Sequence, residues 1–392
     1  MNHPGPIAQR LWVLLTMLIL FAGRMFFISE LKYFPASDFF TSPLEEQNLV
    51  CNNSINCSLN GCIDEDAICQ CRPPWTGHTC SKLLTVPSPV SAKSLYNNDV
   101  EQYNSWSGPI IAHPKTSSYH MYMAIYQNRS LYHTVAMLYG TAKTIAGPYK
   151  WKSLNVTPLV KSPNPSFLEF KEGTKDRFAM FMHNSIWYGE SIEGPFIEES
   201  GVVLVNDSSI ALKNFKPILH NGMYYSTFQQ TNRIYTSKYV AGPWTLYSNI
   251  TVGAKVDLED PELWIDEYGN WHILSHAYDK SQWYNCSSSL VSAHLYSVDG
   301  KYWHKSPEQP YGHVIEFTDN TSLTYATLER PYTILNSKRQ LTHIVLAASL
   351  EIGDEGCAHT KDCTEHPRNR FCPCVNCKYL SPGGTVILTL DV

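Results

Sequence analysis

Beyond residue 95 the apolar residues fall into short runs that alternate with polar ones, and the runs come in pairs joined by turn residues. Alternation with a period of two predicts β-strands, and a pair joined by a polar turn predicts a hairpin. The pairs recur. Residues 107–126, 164–183, 215–229, 259–278 and 329–348 each open on polar residues and a proline, then run apolar, turn, and run apolar again. The prolines are Pro109, Pro165, Pro217, Pro261 and Pro331, at intervals of 56, 52, 44 and 70 residues. Each is read as sitting just inside a strand start, where no ladder donor is needed. A tyrosine-centred segment follows each hairpin, at Tyr139, Tyr188, Tyr235, Tyr296 and Tyr379. The first three lead into Gly-Pro-aromatic turns, Gly147-Pro148-Tyr149, Gly194-Pro195-Phe196 and Gly242-Pro243-Trp244; the fourth has Asp299-Gly300, a hairpin signal. Two hairpins in a unit of about 40–50 residues predict a propeller blade. Five units predict an all-β, five-bladed β-propeller over residues 95–392. A β-sandwich of this length predicts evenly spaced strands with no register between units. The terminal run Gly383–Val392 is apolar enough to supply the strand that closes the ring.

The N-terminus has a different pattern. Leu11–Gly23 is an apolar run preceded by Arg10, and after Arg24 the apolar character resumes to Ile28. Thirteen residues suit a signal-peptide core, but no small-x-small cleavage site follows. The expectation is therefore a cytoplasmic stretch 1–10, a signal anchor 11–28 (or a cleaved signal peptide) and a stem 29–50. The rest would then lie outside the cytosol, as a single-pass type II membrane protein of the secretory pathway or cell surface, or as a secreted one. Eight Asn-x-Ser/Thr triplets, at Asn52, Asn56, Asn128, Asn155, Asn206, Asn249, Asn285 and Asn320, point to the same compartment.

Charged residues make up 17% of the chain against roughly 25% in an average soluble protein. The net charge is −5, without the cationic surplus that phosphate neutralisation needs, which excludes a basic-patch nucleic-acid binder. The abundance of aromatics, 24 Tyr, 15 Phe and 10 Trp, excludes disorder.

An oxidising compartment makes the twelve cysteines disulfide candidates before metal ligands. Six lie at 51, 57, 62, 69, 71 and 80, and spacing alone allows 15 pairings of them. A segment of that size buries too little apolar surface to fold without cross-links. With an aromatic and a glycine between the last two cysteines, residues 51–80 resemble an EGF-like module. That resemblance implies Cys51–Cys62, Cys57–Cys69 and Cys71–Cys80. The module is either a docking site for a protein partner or a spacer. Asn48-Leu49-Val50 ahead of Cys51 lacks the acidic residue of calcium-binding relatives. Residues 81–94, rich in Pro and Ser, read as a linker. Cys286, Cys357, Cys363, Cys372, Cys374 and Cys377 are expected to pair among themselves in an unknown order around an insertion, 355–378, in the fifth blade.

In a propeller the inner strands converge on one channel, so residues flanking the five prolines are candidate site residues: Ser107 and Gly108, Asn164, Lys216, Glu259 and Asp260, Glu329 and Arg330. A polar ring with aromatic walls suits a sugar, and glycoside hydrolysis needs two carboxyl groups roughly 5–10 Å apart. The bland alternative is that these carboxylates cap strand starts or pair with Arg330. Trp106, Trp264, Trp271 and Trp303 are candidates for sugar stacking or for packing between blades. His272 and His276 stand on one strand face, and His276 is assigned to substrate rather than to metal; no metal site is assigned.

Residues 104–350 resemble the five-bladed glycoside hydrolase propellers of the arabinanase and β-xylosidase type, family 43, and most closely an uncharacterised family-43-like branch. The marks are 104–111 (NSWSGPII), 164–165, the Gly-Pro-aromatic turns, 258–276 (LEDPELWIDEYGNWHILSH), 292–303 and 328–334 (LERPYTI). The resemblance implies a glycan ligand, Asp260 as the carboxylate that orients sugar and tunes the acid, and Glu329 as proton donor. Ser107, Asn164, Lys216, Glu259, His276 and Arg330 would bind substrate. It allows a structural ion in the channel and implies no other cofactor. The family's first-blade aspartate is replaced by Ser107-Gly108-Pro109, which leaves Asp99 or Glu101 as candidate bases. The expected activity is glycan binding with hydrolysis; the rival is a non-catalytic receptor or adhesion protein.

Overall fold

The computed structural model describes residues 54–95, 103–113, 116–127, 134–154, 164–182, 185–205, 214–228, 232–251, 257–278, 290–350 and 384–392. The proposed anchor and stem, Cys51, the last six cysteines, Tyr379, Asp99, Glu101 and the triplets at Asn52, Asn128, Asn155, Asn206 and Asn285 lie outside them. Asn56, Asn249 and Asn320 are described, and all three are exposed. Among the described residues no helix is long and apolar enough to cross a membrane.

Five antiparallel sheets follow one another along the chain. Blade 1 is built on Ser118–Gln127, Thr134–Ala142 and Lys150–Leu154, with two short strands, Tyr103–Ser105 and Ile110–His113, on its inner side. Blades 2, 3 and 4 each have four strands, opening on Ser166–Glu172, Ile218–His220 and Asp257–Ile265. Blade 5 runs Ser322–Leu335, Leu341–Leu350, Gly384–Leu390 and then Thr85–Val86, with Val314–Glu316 on its first strand. Opening strands of neighbouring blades touch one another, blade 3 with 4, 4 with 5 and 5 with 1.

Alternation explains how the blades stack. Met121, Met123 and Ile125 turn one way to pack with Val345 and Ile387 of blade 5, whereas Tyr122 and Ala124 turn the other way to meet Phe178 and Met180 of blade 2. Ala179 and Phe181 then meet Phe215 and Trp244 of blade 3, and Ile234 meets Leu263 and Ile273 of blade 4. Trp264 and Leu274 of blade 4 meet Leu328 and Ile344 of blade 5. The five apolar clusters are the five seams. Tyr139, Tyr188, Tyr235 and Tyr296 lie on the third strands of blades 1 to 4, and the turn aromatics Tyr149, Phe196 and Trp244 are buried. Gly194 has φ 77°, and a Cβ there would stand 2.9 Å from the Phe196 ring, so the turn folds its aromatic back where only glycine leaves room.

Two expectations are corrected. Residues 81–94 are not a free linker: Lys82–Leu83 pairs with Trp75–Thr76, and Thr85–Val86 pairs with the C-terminal strand, closing the ring with both chain regions in one blade. The short apolar pairs in this stretch find partners only because the propeller brings residues 389–390 to them. Pro261 and Pro331 also lie inside strands rather than at their starts, each within a β-bulge where no ladder donor is called for.

The disulfides Cys57–Cys69 and Cys71–Cys80 have the expected pairing, and Cys62 is bonded too; the fit to an EGF-like module is loose. The module does not stand apart from the propeller. Cys57, Trp75 and Cys80 share one core with blades 4 and 5. Tyr296 OH donates to Ile55 O at 2.8 Å, Lys82 pairs with Glu308 at 2.8 Å, and Arg72 lies over the Tyr268 ring at 3.8 Å.

Beneath Trp75 runs a buried polar chain: His272 Nε2 lies 3.3 Å from Asp266 Oδ2, His272 Nδ1 lies 3.0 Å from His294 Nε2, and His294 Nδ1 lies 2.7 Å from Ser306 Oγ. The His294 ring lies 4.6 Å from the Trp75 ring, tilted against it, and stacks on Tyr296. Burial, and then the neighbouring His272, hold its pKa well below that of a free imidazole. Burial also depresses His120, His220, His276 and His343. The native state therefore binds these protons less readily than the unfolded chain, so the stability these histidines contribute is complete above about pH 6.5 and is lost as the pH drops below it, whereas the raised carboxyls of Glu259 and Glu329 contribute in the opposite direction. We expect the advantage of the native chain over His294→Gln in urea midpoint to shrink from pH 7.5 to pH 5; an advantage that stays constant over this range would contradict the burial of His294.

Candidate active site

Residues ahead of the prolines meet in one chain of hydrogen bonds and an ion pair that takes a side chain from every blade. Asn164 Nδ2 of blade 2 donates to Asn214 Oδ1 of blade 3, and Asn214 Nδ2 donates to Asp260 Oδ1 of blade 4. Asp260 Oδ2 lies 3.3 Å from Arg330 Nε of blade 5, and the Arg330 carbonyl accepts from Ser107 Oγ of blade 1 at 2.9 Å. Ser107 N in turn donates to Thr385 Oγ1 at 3.0 Å. Four of these residues, Ser107, Asn214, Asp260 and Arg330, have φ between 48° and 56°. Such conformations cost free energy outside glycine and cluster at functional sites. They turn the side chains sideways along the ring, from blade to blade.

A second set of bonds lies beside the first. Lys216 is buried, donating to Pro331 O at 2.7 Å, pairing with Glu262 Oε2 at 3.1 Å and sitting 3.6 Å from the Tyr332 ring centroid. Glu262 Oε1 accepts from Thr333 N and Oγ1, both at 3.1 Å. Lys216 thus ties blade 3 to blades 4 and 5, and its ammonium is committed to protein groups.

The carboxyls differ in surroundings. Asp260 is 2% exposed, with both oxygens engaged. Burial and the Asp260 charge push Glu329 up to about 7, against the lowering effects of Arg330 and of the Thr327 hydrogen bond. Burial, Asp260 and Glu329 likewise raise Glu259 to about 7, against His276 and Arg330. Its side chain is 25% exposed, and His276 Nδ1 lies 3.9 Å from Glu259 Oε2. Trp106 contributes a wall: its ring centroid is 5.8 Å from the Arg330 guanidinium carbon, and its buried Nε1 has no protein partner. Asn164 Oδ1, at the open end of the chain, is buried without a partner as well. One donor and one acceptor beside the ring are thus buried without a protein partner.

No protein-family model and no curated protein matches this chain. Solved structures do match. A thermostable family-43 glycoside hydrolase matches at 12% identity over 79% of this chain and 92% of its own, with a TM-score of 0.47. A protein of unknown function from Dyadobacter fermentans covers 79% and 98% at 10% identity, with a TM-score of 0.48. A family 117 glycoside hydrolase of the marine bacterium Zobellia galactanivorans covers 76% and 86% at 11% identity, with a TM-score of 0.44. The likeness is one of fold.

The sequence pattern pointed to Ser107, Asn164, Asp260 and Arg330, and the structure joins them. It did not point to Asn214, Glu262 or Thr385. Asn214 stands three residues before its proline rather than one, and its only signal is an asparagine's tolerance of positive φ. Trp264, Trp271 and Trp303 are buried in the seams. His272 and His276 share a face but stand about 13 Å apart along the strand, so they do not converge on one ion. Among the described residues the one group of three His, Cys, Asp or Glu ligand atoms is Cys57, Cys69 and Cys80, and their sulfurs form disulfides.

Proposed function

We propose that the inner ring of the propeller binds a glycan and hydrolyses a glycosidic bond, with Glu329 as proton donor and Asp260 as the fixed charge that keeps it protonated. The observation that carries this reading is a carboxyl pushed to about 7 beside an aspartate immobilised by Asn214 and Arg330. That pair is what acid catalysis at neutral pH requires, since the donor must still hold its proton while its neighbour is charged. Trp106 supplies an apolar wall, and the unpartnered Trp106 Nε1 and Asn164 Oδ1 suit sugar hydroxyls. The motif likeness of residues 258–276 and 328–334 to family 43 supports the same chemistry. The apolar run 11–28, the glycosylation triplets and the disulfides support a membrane-anchored glycoprotein acting outside the cytosol, on a glycan or glycoconjugate.

The test is to incubate the purified glycoprotein with a panel of aryl glycosides and natural oligosaccharides. We expect turnover, and a loss of about 10²–10⁴-fold in Glu329→Gln on natural linkages, where the leaving oxygen needs a proton. Glycan binding without turnover in the native chain would overturn hydrolysis and leave the receptor reading.

A further inference from the structure

We propose that the disulfide module is an acid-released cover, seated near neutral pH over the histidine pair of blade 4 and freed from the blade 4–5 seam as the pH falls. This device does not rest on the hydrolytic reading above. The Trp75 ring covers His294 from the module side, Tyr296 OH holds Ile55 O, and Leu83 N donates to Pro310 O at 2.8 Å. Trp75 is 9% exposed and His294 is 0% exposed.

The polar chain beneath Trp75 runs one way. Burial works to raise the Asp266 carboxyl, but hydrogen bonds from His272 and Asn270 outweigh it and hold Asp266 below the usual carboxylate range. Asp266 is therefore ionised and can only accept. His272 must present Nε2–H to it and accept at Nδ1 from His294 Nε2–H, and His294 Nδ1 accepts from Ser306 Oγ. One added proton fits this chain. On His272 it faces Asp266, while His294 moves its own proton to Nδ1 and donates to Ser306. A second proton would charge His294, which lies among Trp75, Trp264 and Tyr296. Among the described residues His294 pairs with no carboxylate, and a buried charge without a counter-ion is costly.

The other charged groups nearby do not supply one. Arg72 of the module lies over Tyr268, Arg339 of blade 5 senses Asp266, Glu267 accepts from Gln340 at 2.9 Å, and His304 stacks on Tyr296. A cavity of about 30 Å³ between module and propeller, bordered by Asn60, Trp75, Asp266 and His272, has room for a water molecule to bring the proton in.

Lifting Trp75 opens His294 to water, where an imidazole titrates at about 6.5. The seated module excludes that proton and the released one admits it, so release becomes about 30-fold more favourable from pH 7.5 to pH 5. Buried neutral histidines act on interfaces in this way.

Hydrogen exchange of the full-length protein tests the release through the Leu83 amide, whose bond crosses the interface. Corrected for intrinsic rates, its protection should fall about 30-fold from pH 7.5 to pH 5, more than that of the Lys175–Met182 strand in blade 2. His294→Gln should remove most of the fall. Asp266→Asn keeps an oxygen for Tyr268 N and Asn270 N but takes away the counter-charge of the first proton, so it should make the fall steeper. If His294→Gln does not seat the module at pH 7.5, Asp266→Asn decides. Leu83 protection that holds at pH 5, or falls no more than that of blade 2, overturns the proposal. So does a fall that a seated His294→Gln retains, or one that Asp266→Asn leaves unchanged.

Discussion

Gly108→Ala is expected to be the most damaging single methyl group in the propeller. The backbone between the two inner strands of blade 1 crosses the next strand so closely that a Cβ on Gly108 would stand 1.8 Å from the Tyr122 carbonyl oxygen and 3.0 Å from its carbon. Backbone atoms cannot rotate away as a side-chain tip would. The segment must instead move outward by more than an ångström. Overpacking a tight site typically costs about 1–3 kcal/mol, and a clash with the main chain belongs at or above the upper end. The displacement does not stay local. Ser107 sits at φ 48° with its hydroxyl on Arg330 O and its amide on Thr385, so moving residue 108 pulls on blade 5 from both its inner strand and its closing strand. We expect a large loss in urea midpoint and faster proteolysis for Gly108→Ala. A midpoint within a few tenths of a molar of the native value would show that blade 1 does not approach so closely.

Asp260→Ala should cost about 3–5 kcal/mol in stability, because it removes the partner of a buried guanidinium and the last acceptor of the asparagine chain. Asp260→Asn keeps the volume yet does not solve the problem. Its amide has one oxygen, while Asn214 and Arg330 both approach as donors. On the hydrolytic reading proposed above, the variant also moves the pH dependence of turnover in a defined direction. The Asp260 charge raises both Glu259 and Glu329, so its loss lets each ionise at lower pH. The acid then loses its proton sooner, and the basic limb of the pH–rate profile should shift to lower pH, beyond any fall in rate. A merely structural Asp260 would leave the limb where it was, and an upward shift would contradict the electrostatic role.

Much of the fold was legible because propeller blades repeat. Period-two alternation in the paired runs identified strands and hairpins without any knowledge of neighbours, since side chains on a strand can point only two ways. The recurrent prolines and the Gly-Pro-aromatic turns set the register between units. The candidate ring was legible for the same reason: residues in equivalent places of a closed repeat meet at its axis. The last interval of 70 residues was the weak point, and there the sequence alone did not foresee that residues 85–86 complete the final blade.

The sequence by itself determined the all-β class, the number of blades and the identity of most ring residues, because these follow from local periodicity and from repetition. Tertiary structure alone decided what those residues do. Ring position is common to Asp260, Lys216 and Glu259, yet Asp260 is clamped between Asn214 and Arg330, Lys216 is spent on Glu262 and Pro331, and Glu259 reaches solvent. Nor was it local sequence that seated the disulfide module against blades 4 and 5, with Trp75 on His294. Charge state and exposure depend on groups tens to hundreds of residues apart in the chain, and those meet only when the blades assemble.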